Sequence, residues 1–270
     1  MQGEIISSGT EFDIHFKRLI VALILLPLIY LYIMYLSAEY FLFLGIFISS
    51  IALSEFYSMY HVAGILRYTG LFSGVCLLSI SYISKNLLPD ILLLSVMVIM
   101  GIRLLFKRNP LSSLSDISPP VLGVLYIPGL FTFQIQIRGL GPEWIVFLYA
   151  SVWASDTMAY YLGSGIGKRK LYIEISPNKT VAGAGGSLVG GVIGALLLKA
   201  TLIPLLSLSY AVLIGIMVGI ISIIGDLVES MFKRDSGVKD SSTVIPGHGG
   251  ILDKLDGVLF AGPILYWMVS

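Results

Sequence analysis

Apolar runs of about 20 residues follow one another along almost the whole chain, and each is long enough to cross a bilayer as a helix. About nine such runs can be read: 19–36, 40–59, 66–84, 87–106, 119–137, 144–163, 181–199, 202–229 and 256–269. Hydrophobic residues make up 56% of the 270 residues and charged residues only 12%, which excludes both a water-soluble globule and a disordered chain. We therefore predict an all-α, polytopic integral membrane protein with about nine transmembrane helices.

Two of the runs need interpretation. The first follows Lys17 and Arg18, and we interpret it as an uncleaved span because it is long and no small-residue cleavage pattern follows it. The eighth is too long for one straight crossing. Either its apolar part begins nearer Tyr210, or its helix extends beyond the membrane.

Basic residues divide very unevenly between the two sides of the predicted membrane. If all the runs cross, only three of the 17 Lys and Arg residues fall on one side, namely Lys85, Arg138 and Lys199. Positively charged loops stay on the cytoplasmic side. The N-terminus and the long polar loops are therefore predicted to be cytoplasmic, with the C-terminus on the far side.

Polar residues are concentrated in two segments, 164–180 and 230–256. Long ordered loops of this kind are usually functional. We accordingly divide the chain into N-terminal scaffold helices facing lipid, residues 1–140, and C-terminal helices carrying the functional loops, residues 141–270. The formal net charge of +1 gives no bulk attraction to nucleic acid, so nucleic acid is not an expected partner.

Four acidic residues stand out in the second polar segment and just before it. Asp226 follows an apolar stretch, and an ionisable group at such a position is a functional hypothesis by default. Asp226 and Glu229 are three residues apart, as are Asp253 and Asp256, so on helices each pair would share a face. Two helices meeting at these faces would collect hard oxygen ligands, which suit Mg²⁺.

Cations surround these acids in the sequence: Lys233, Arg234, Lys239 and Lys254, with His248 between glycines. Acids and bases together at one water–membrane boundary are typical of a site for metal-bound phosphates. Each piece also has a simpler interpretation. The basic pair at 233–234 could be a membrane anchor, the glycines around His248 a tight turn, and the acids at 253 and 256 the first turn of a helix.

The order and spacing of the pieces is more specific. The blocks are Ser230-Met-Phe-Lys-Arg, Lys239-Asp240, Pro246 through Asp256, Trp153-Ala-Ser-Asp156 with Gly163, and Ser176-Pro-Asn-Lys179-Thr180 with Gly183 and Gly186. Together they resemble the signature of the phosphatidate cytidylyltransferases, also called CDP-diacylglycerol synthases, over roughly 150–265. Two positions differ from the usual family pattern: Ala182 stands where a glutamate is usual, and Lys254 where an arginine is usual.

The resemblance implies transfer of CMP from CTP to phosphatidate, giving CDP-diacylglycerol and pyrophosphate in phospholipid biosynthesis. It implies Mg²⁺, with room for a second cation, and allows a homodimer in the bacterial inner membrane among membrane lipids. The implied metal ligands are Asp226, Asp253 and Asp256. The implied catalytic residues are Lys233, Arg234, Lys239, Asp240, His248 and Lys254, and the implied substrate-binding residues are Ser176, Lys179, Thr180, Ser230 and Asp156.

Three further features have more ordinary interpretations. Lys168, Arg169 and Lys170 are explained by membrane anchoring. Gly183, Gly186, Gly190 and Gly194 follow helical spacing and predict close helix packing. Glu55 lies near the end of a span and is interpreted as a boundary acid.

Other functions stay open at this point. The chain could be a related CTP-dependent lipid or prenol kinase, a cytidylyltransferase for another lipid, or a catalytically impaired family member. A transporter would place its ionisable groups near the midplane, often in repeated halves. Here the acids crowd one face and no repeat is visible, which argues against that class.

Overall fold

The structure is a computed structural model that describes residues 27–243 and 249–270. Its helices in chain order are α1 (Ala38–Met59), α2 (Gly64–Ile83), α3 (Leu88–Phe106), α4 (Ser113–Val124), α5 (Leu130–Leu140), α6 (Pro142–Ile166), α7 (Val181–Thr201), α8 (Leu208–Asp235) and α9 (Asp256–Val269). The segment 27–35 is also helical. The predicted all-α architecture of a polytopic membrane protein is confirmed.

Within the described ranges, six helical segments are long and apolar enough to cross a membrane: Ala38–Met59, Gly64–Ile83, Lys85–Phe106, Ser113–Leu140, Val181–Thr201 and Leu208–Asp235. Helix α9 is apolar but shorter. Helix α6 is long enough but less apolar, because it carries polar residues such as Asp156 and Tyr160. The predicted number of nine therefore stays a prediction, and residues 19–26 of the first predicted span lie outside the described ranges.

Helix α8 bears on the two alternatives left for the eighth run. The helix begins at Leu208, after a cap in which Ser207 accepts a hydrogen bond from the Tyr210 N–H. It then continues for 28 residues, well past the last strongly apolar turn, to Asp235. The helix thus begins close to Tyr210, as the first alternative expects, and it carries Asp226, Glu229 and Lys233 on its final turns. Its extension beyond the membrane stays a prediction.

The segment Ser113–Leu140 is helical throughout but irregular. A π-helical turn at Leu125–Gly129 separates α4 from α5, and it contains Pro128. Proline removes a backbone donor, so a local change of helix type is the expected response. The turn places the Tyr126 ring against Phe232 of α8, with ring centroids 5.5 Å apart, and against Phe260 of α9 at 6.0 Å.

Among the described residues, those from 38 onward form one compact unit, and those from 27 to 37 belong to a separate one. In the larger unit, α6 packs on α7, α7 on α8, and α8 on α9, while α1 packs on α2 and α5. The predicted division into 1–140 and 141–270 stays a prediction.

Close packing between α6 and α7 depends on glycine, as predicted. A Cβ added at Gly183 would lie 3.0 Å from the Ala159 carbonyl oxygen, and one at Gly194 would lie 3.0 Å from Ser151 Cα. Gly186 and Gly190 are similarly pressed against α6 backbone. The predicted role of these glycines is confirmed, and this contact brings the connections at the ends of α6 and α8 together.

Candidate active site

The polar segment after α6 folds into a small antiparallel hairpin, which adds a β element to the otherwise helical chain. Strand β1 (Lys170–Tyr172) pairs with β2 (Ser176–Thr180), with Lys170 opposite Thr180. Thr180 then caps α7, because its hydroxyl oxygen accepts a hydrogen bond from the Gly183 N–H at 3.1 Å. The cap sets the direction of α7, and the hairpin holds Lys179 against α8.

An ion pair joins this hairpin to α8. The Lys179 ammonium nitrogen lies 2.7 Å from the Asp226 Oδ2 oxygen. On the other side of Asp226, the Ser230 hydroxyl is at 3.5 Å from Oδ1. Two polar segments that are far apart along the chain therefore meet at Asp226.

A cavity of about 660 Å³ opens beside this ion pair. This volume lies in the range of sites for small molecules, about 300–1,000 Å³. The lining residues of the cavity include four of the predicted substrate-binding residues, Asp156, Ser176, Lys179 and Thr180, together with Asp226. Asp156 is held toward α8 by a hydrogen bond of 2.9 Å from the Ser222 hydroxyl.

Lys170 and Asn178 also line the cavity. Lys170, which the sequence indicates as a membrane anchor, also lies on the cavity wall. The position of Lys170 opposite Thr180 in the hairpin explains why. Alternation along a short strand, once the hairpin is recognised, would have pointed to this residue.

Three carboxylates converge where α8 passes the start of α9. One carboxylate oxygen from each of Asp226, Glu229 and Asp256 lies within 4.8 Å of the others. Asp226 and Glu229 are one helical turn apart on α8, and Asp256 begins α9. The helices can approach this closely because Gly225 has no side chain. A Cβ at this position would collide with the Asp256 carbonyl oxygen. We call these three residues the acidic group.

The acidic group fits a metal cation. Glu229 is only 1% exposed, and its Oε1 atom is buried without a hydrogen-bond partner among the described residues. An unpartnered buried acceptor is unfavourable, and a cation would satisfy it. Clustered carboxylate oxygens are the ligands that hard divalent cations such as Mg²⁺ prefer.

Lys233 lies behind the acidic group, buried between two acids. Its ammonium nitrogen is 2.6 Å from Glu229 Oε2 and 2.6 Å from Asp253 Oδ1, and the residue is only 8% exposed. The charge of Lys233 therefore compensates two carboxylates directly. Its predicted catalytic role stays a prediction, and these contacts favour a role in holding the acids.

Asp253 is saturated by donors. Its Oδ2 atom accepts hydrogen bonds from the Gly250 N–H at 2.7 Å and from the Ser241 hydroxyl and N–H at 2.9 and 3.1 Å. Burial alone would raise the pKa of Asp253, but hydrogen bonds from Lys233 and the Gly250 N–H outweigh it and lower the pKa to about 2. Asp253 is thus a stable anion beside the acidic group, and its predicted role as a metal ligand stays a prediction.

Glu55 reaches the same region from α1, and the sequence interpretation as a boundary acid missed this. The residue is 5% exposed, and it accepts hydrogen bonds from the N–H groups of Ile251 and Leu252. The rule that treats an acid inside an apolar run as a functional hypothesis would have found it.

The other predicted residues lie around this core. Arg234 donates to the carbonyl oxygens of Ile175 and Val238, at 3.2 and 2.9 Å, so it links α8 to the hairpin. Lys239, Asp240 and Lys254 are exposed. Their predicted roles stay predictions, and His248 lies outside the described residues.

Comparisons with known proteins show the family of the chain. The sequence model of the cytidylyltransferase family matches residues 16–270. A phosphatidate cytidylyltransferase of Staphylococcus haemolyticus is 32% identical over 92% of this chain and 96% of its own length. The enzyme of the same name from Bacillus subtilis is 37% identical over 67% of the chain and 68% of its own length. The phosphatidate cytidylyltransferase of Synechocystis is 38% identical over 62% of this chain and 66% of its own length.

The match to the family covers the scaffold helices as well as the polar connections, which extends the resemblance beyond the motifs that first indicated it. The family predicted from the sequence is confirmed, and with it the class of nucleotidyl-transferring enzyme. This chain belongs to the cytidylyltransferase family.

Proposed function

We propose that this chain transfers CMP from CTP to phosphatidate and releases CDP-diacylglycerol and pyrophosphate. The observation that carries the proposal is the ion pair between Lys179 and Asp226, since it places a cation-lined cavity directly beside the acidic group. The curated relatives, all named phosphatidate cytidylyltransferase, supply the identity of the lipid.

The reaction needs little help from a general base. The attacking group is a phosphate monoester oxygen of phosphatidate, which is already ionised near neutral pH. A bond forms between this oxygen and the α-phosphorus of CTP, and the bond from the α-phosphorus to the bridging oxygen of the β-phosphate breaks. Pyrophosphate leaves with that oxygen, so the atoms balance without any further reactant.

The main barrier is bringing two anions together, and the described residues address it. Lys179 and Lys170 supply positive charge on the cavity wall, while Ser176 and Thr180 supply hydroxyl groups. We assign the phosphates of CTP to this wall. Charge placed in advance where negative charge develops is usually the largest contribution to such catalysis.

We further propose that Asp226, Glu229 and Asp256 hold Mg²⁺. When bound there, the cation would screen the phosphate charges and polarise a phosphoryl oxygen. Glu229 takes the third position that the sequence analysis gave to Asp253, because Asp253 is already saturated by Ser241, Gly250 and Lys233.

The proposed location follows from the charge pattern and the apolar helices. We place the chain in the bacterial inner membrane, with the acidic group and the hairpin on the cytoplasmic side, where basic loops are retained and where CTP is available. Phosphatidate would approach from the membrane lipids. A homodimer stays a prediction from the family resemblance.

The test is a transfer assay with purified protein, phosphatidate vesicles, Mg²⁺ and CTP labelled at either the α- or the γ-phosphate. We expect the α-label to enter lipid and the γ-label to leave as pyrophosphate. A γ-label in lipid would instead identify a kinase. Asp226→Asn should abolish transfer, and Asp90→Asn, an acid in the first turn of α3, is the matched control that should retain it. Full activity in Asp226→Asn would contradict the assignment of the site.

A further inference from the structure

Glu55 is a buried acid from the N-terminal half of the chain that binds the connection between α8 and α9. Its Oε1 accepts hydrogen bonds from the Ser242 hydroxyl at 2.6 Å and the Ile251 N–H at 3.0 Å. Its Oε2 accepts from the Ser241 hydroxyl at 3.1 Å and the Leu252 N–H at 2.9 Å. Each carboxylate oxygen therefore binds one hydroxyl and one backbone amide.

These bonds fix the backbone just before the acids that follow it. Ile251 and Leu252 lead directly into the 3₁₀ turn Leu252–Lys254, which carries Asp253. Ser241 is shared, because its one hydroxyl proton is divided between Glu55 Oε2 at 3.1 Å and Asp253 Oδ2 at 2.9 Å. A continuous set of contacts therefore runs from Glu55 to Asp253 and, through Lys233, to the acidic group.

A carboxylate is the only side chain that suits this position. Backbone N–H groups can only donate, so both oxygens of residue 55 must accept. A glutamine would turn an NH₂ group toward either Ile251 or Leu252 and leave a buried amide without a partner. A buried group that loses its partner costs about 1–3 kcal/mol, and bonds to a charged acceptor are the stronger kind.

We propose that Glu55 is a positioning residue for the transfer reaction, acting by holding residues 241–242 and 251–252 so that Asp253 and Asp256 keep their places beside α8. The inference rests on the proposed function for its kinetic consequence, while the anchoring itself does not depend on it. Glu55 belongs to α1, so the proposal gives a scaffold helix a direct part in organising the site.

The kinetic test compares Glu55→Gln with Glu39→Gln in the transfer assay. Glu39 is on the same helix, accepts a hydrogen bond from the Tyr82 hydroxyl at 2.5 Å, and is the matched control. We expect Glu55→Gln to lower kcat by about 10- to 100-fold, the effect of a small misplacement of a site. The KM for CTP should stay within about twofold, because the cavity wall around Lys179 is untouched.

A double-mutant cycle tests whether the effect passes through the connection. Ser241→Ala removes the hydroxyl that Glu55 and Asp253 share. If Glu55 acts through it, the loss of kcat in the double variant must be smaller than the product of the two single losses. Multiplicative losses would overturn the part of the proposal that passes through Ser241, and wild-type kcat in Glu55→Gln would overturn all of it.

Hydrogen exchange supplies a readout that does not depend on the reaction. In Glu55→Gln the amide of Ile251 or of Leu252, whichever faces the new NH₂ group, should exchange at least about tenfold faster, and those of α6 should not change. Unchanged exchange at both amides overturns the proposal even if activity falls. If Glu55→Gln does not yield folded protein, Ser242→Ala replaces it, with faster exchange at Ile251 as the required result.

Wild-type protein that makes no CDP-diacylglycerol would contradict the proposed function alone. The exchange data would then decide the anchoring by themselves. Wild-type protein that is active, together with a Glu55→Gln variant of equal activity, would overturn only the positioning role.

Discussion

The Lys179 ammonium lies 2.7 Å from the Asp226 carboxylate, although the two residues belong to different polar connections of the chain. One comes from the hairpin after α6 and the other from α8. The contact joins the cavity to the acidic group, so that a phosphate bound at Lys179 would lie next to a cation bound at Asp226. The proposed sites for the nucleotide phosphates and for the metal cation therefore lie side by side.

Replacing Lys179 should weaken nucleotide binding. Lys179→Gln removes a positive charge from the cavity wall, and hydrogen bonds between charged groups are worth about 1.5–3 kcal/mol. We therefore expect the KM for CTP to rise about tenfold or more, measured by varying CTP at saturating phosphatidate. Lys199→Gln, at the C-terminal end of α7, should leave the KM unchanged. Equal KM values in wild type and Lys179→Gln would contradict the assignment of the phosphates to this wall.

The acidic group should control the response to Mg²⁺. Glu229→Gln and Asp256→Asn each remove a charged oxygen ligand, and even residues behind a metal ligand affect metal affinity by about 10- to 100-fold. We expect the Mg²⁺ concentration for half-maximal activity to rise by at least about tenfold in both variants. The measurement is a Mg²⁺ titration of the transfer rate.

Asp253→Asn tests whether Glu229 or Asp253 is the third metal ligand beside Asp226 and Asp256. Asp253 binds Ser241, Gly250 and Lys233 rather than lying within the acidic group. If Glu229 is the ligand, Asp253→Asn should lower kcat and move the Mg²⁺ midpoint less than Glu229→Gln does. A shifted midpoint in Asp253→Asn, with none in Glu229→Gln, would restore the assignment made from the sequence.

Local spacing was enough to predict much of this site. Asp226 and Glu229 share a face of α8 because they are three residues apart. Ser176, Lys179 and Thr180 were implied by the family resemblance, and all three line the cavity. The long helices could be predicted for a similar reason, since each corresponds to one long, mostly apolar stretch of the sequence.

Contacts between distant parts of the chain could not be predicted in this way. Glu55 and Ser241 are 186 residues apart, and no local pattern links them. The resemblance implies a catalytic role for Lys233, whereas its burial between Glu229 and Asp253 depends on how α8 meets the following connection. Tertiary packing decides which charged groups face a ligand and which face each other.

Removing the buried positive charge of Lys233 should destabilise the fold. Lys233→Met leaves Glu229 and Asp253 without their shared partner, and breaking a buried ion pair in this way costs about 3–5 kcal/mol. We expect a clearly lower Tm in detergent for Lys233→Met at pH 7. Lys239→Met, at an exposed position, should change the free energy of unfolding by no more than about 0.5 kcal/mol.

The pH dependence of this effect has a defined sign. The pKa of Asp253 falls from 3.8 to about 2 on folding. The ionised Asp253 carboxylate therefore stabilises the fold fully above about pH 4, and this stabilisation is lost as the pH falls through 2. The part of the difference in Tm between wild type and Lys233→Met that comes from Asp253 should accordingly narrow below about pH 4. A Tm for Lys233→Met equal to that of wild type at pH 7 would show that the Lys233 ammonium group contributes nothing to stability.

Two glycines of α7 provide a matched test of the packing that brings the connections together. A Cβ at Gly190 would lie 2.8 Å from Met158 Cβ and would collide with the Ala154 carbonyl oxygen, whereas one at Gly185 would meet nothing within 4 Å. Gly190→Ala should therefore push α6 and α7 apart and cost about 1–3 kcal/mol. Gly185→Ala should be neutral or stabilising by up to about 1 kcal/mol, since alanine favours a helix over glycine. Thermal unfolding in detergent measures both, and a Gly190→Ala variant as stable as Gly185→Ala would mean that the α6–α7 contact tolerates separation and does not fix the position of the hairpin against α8.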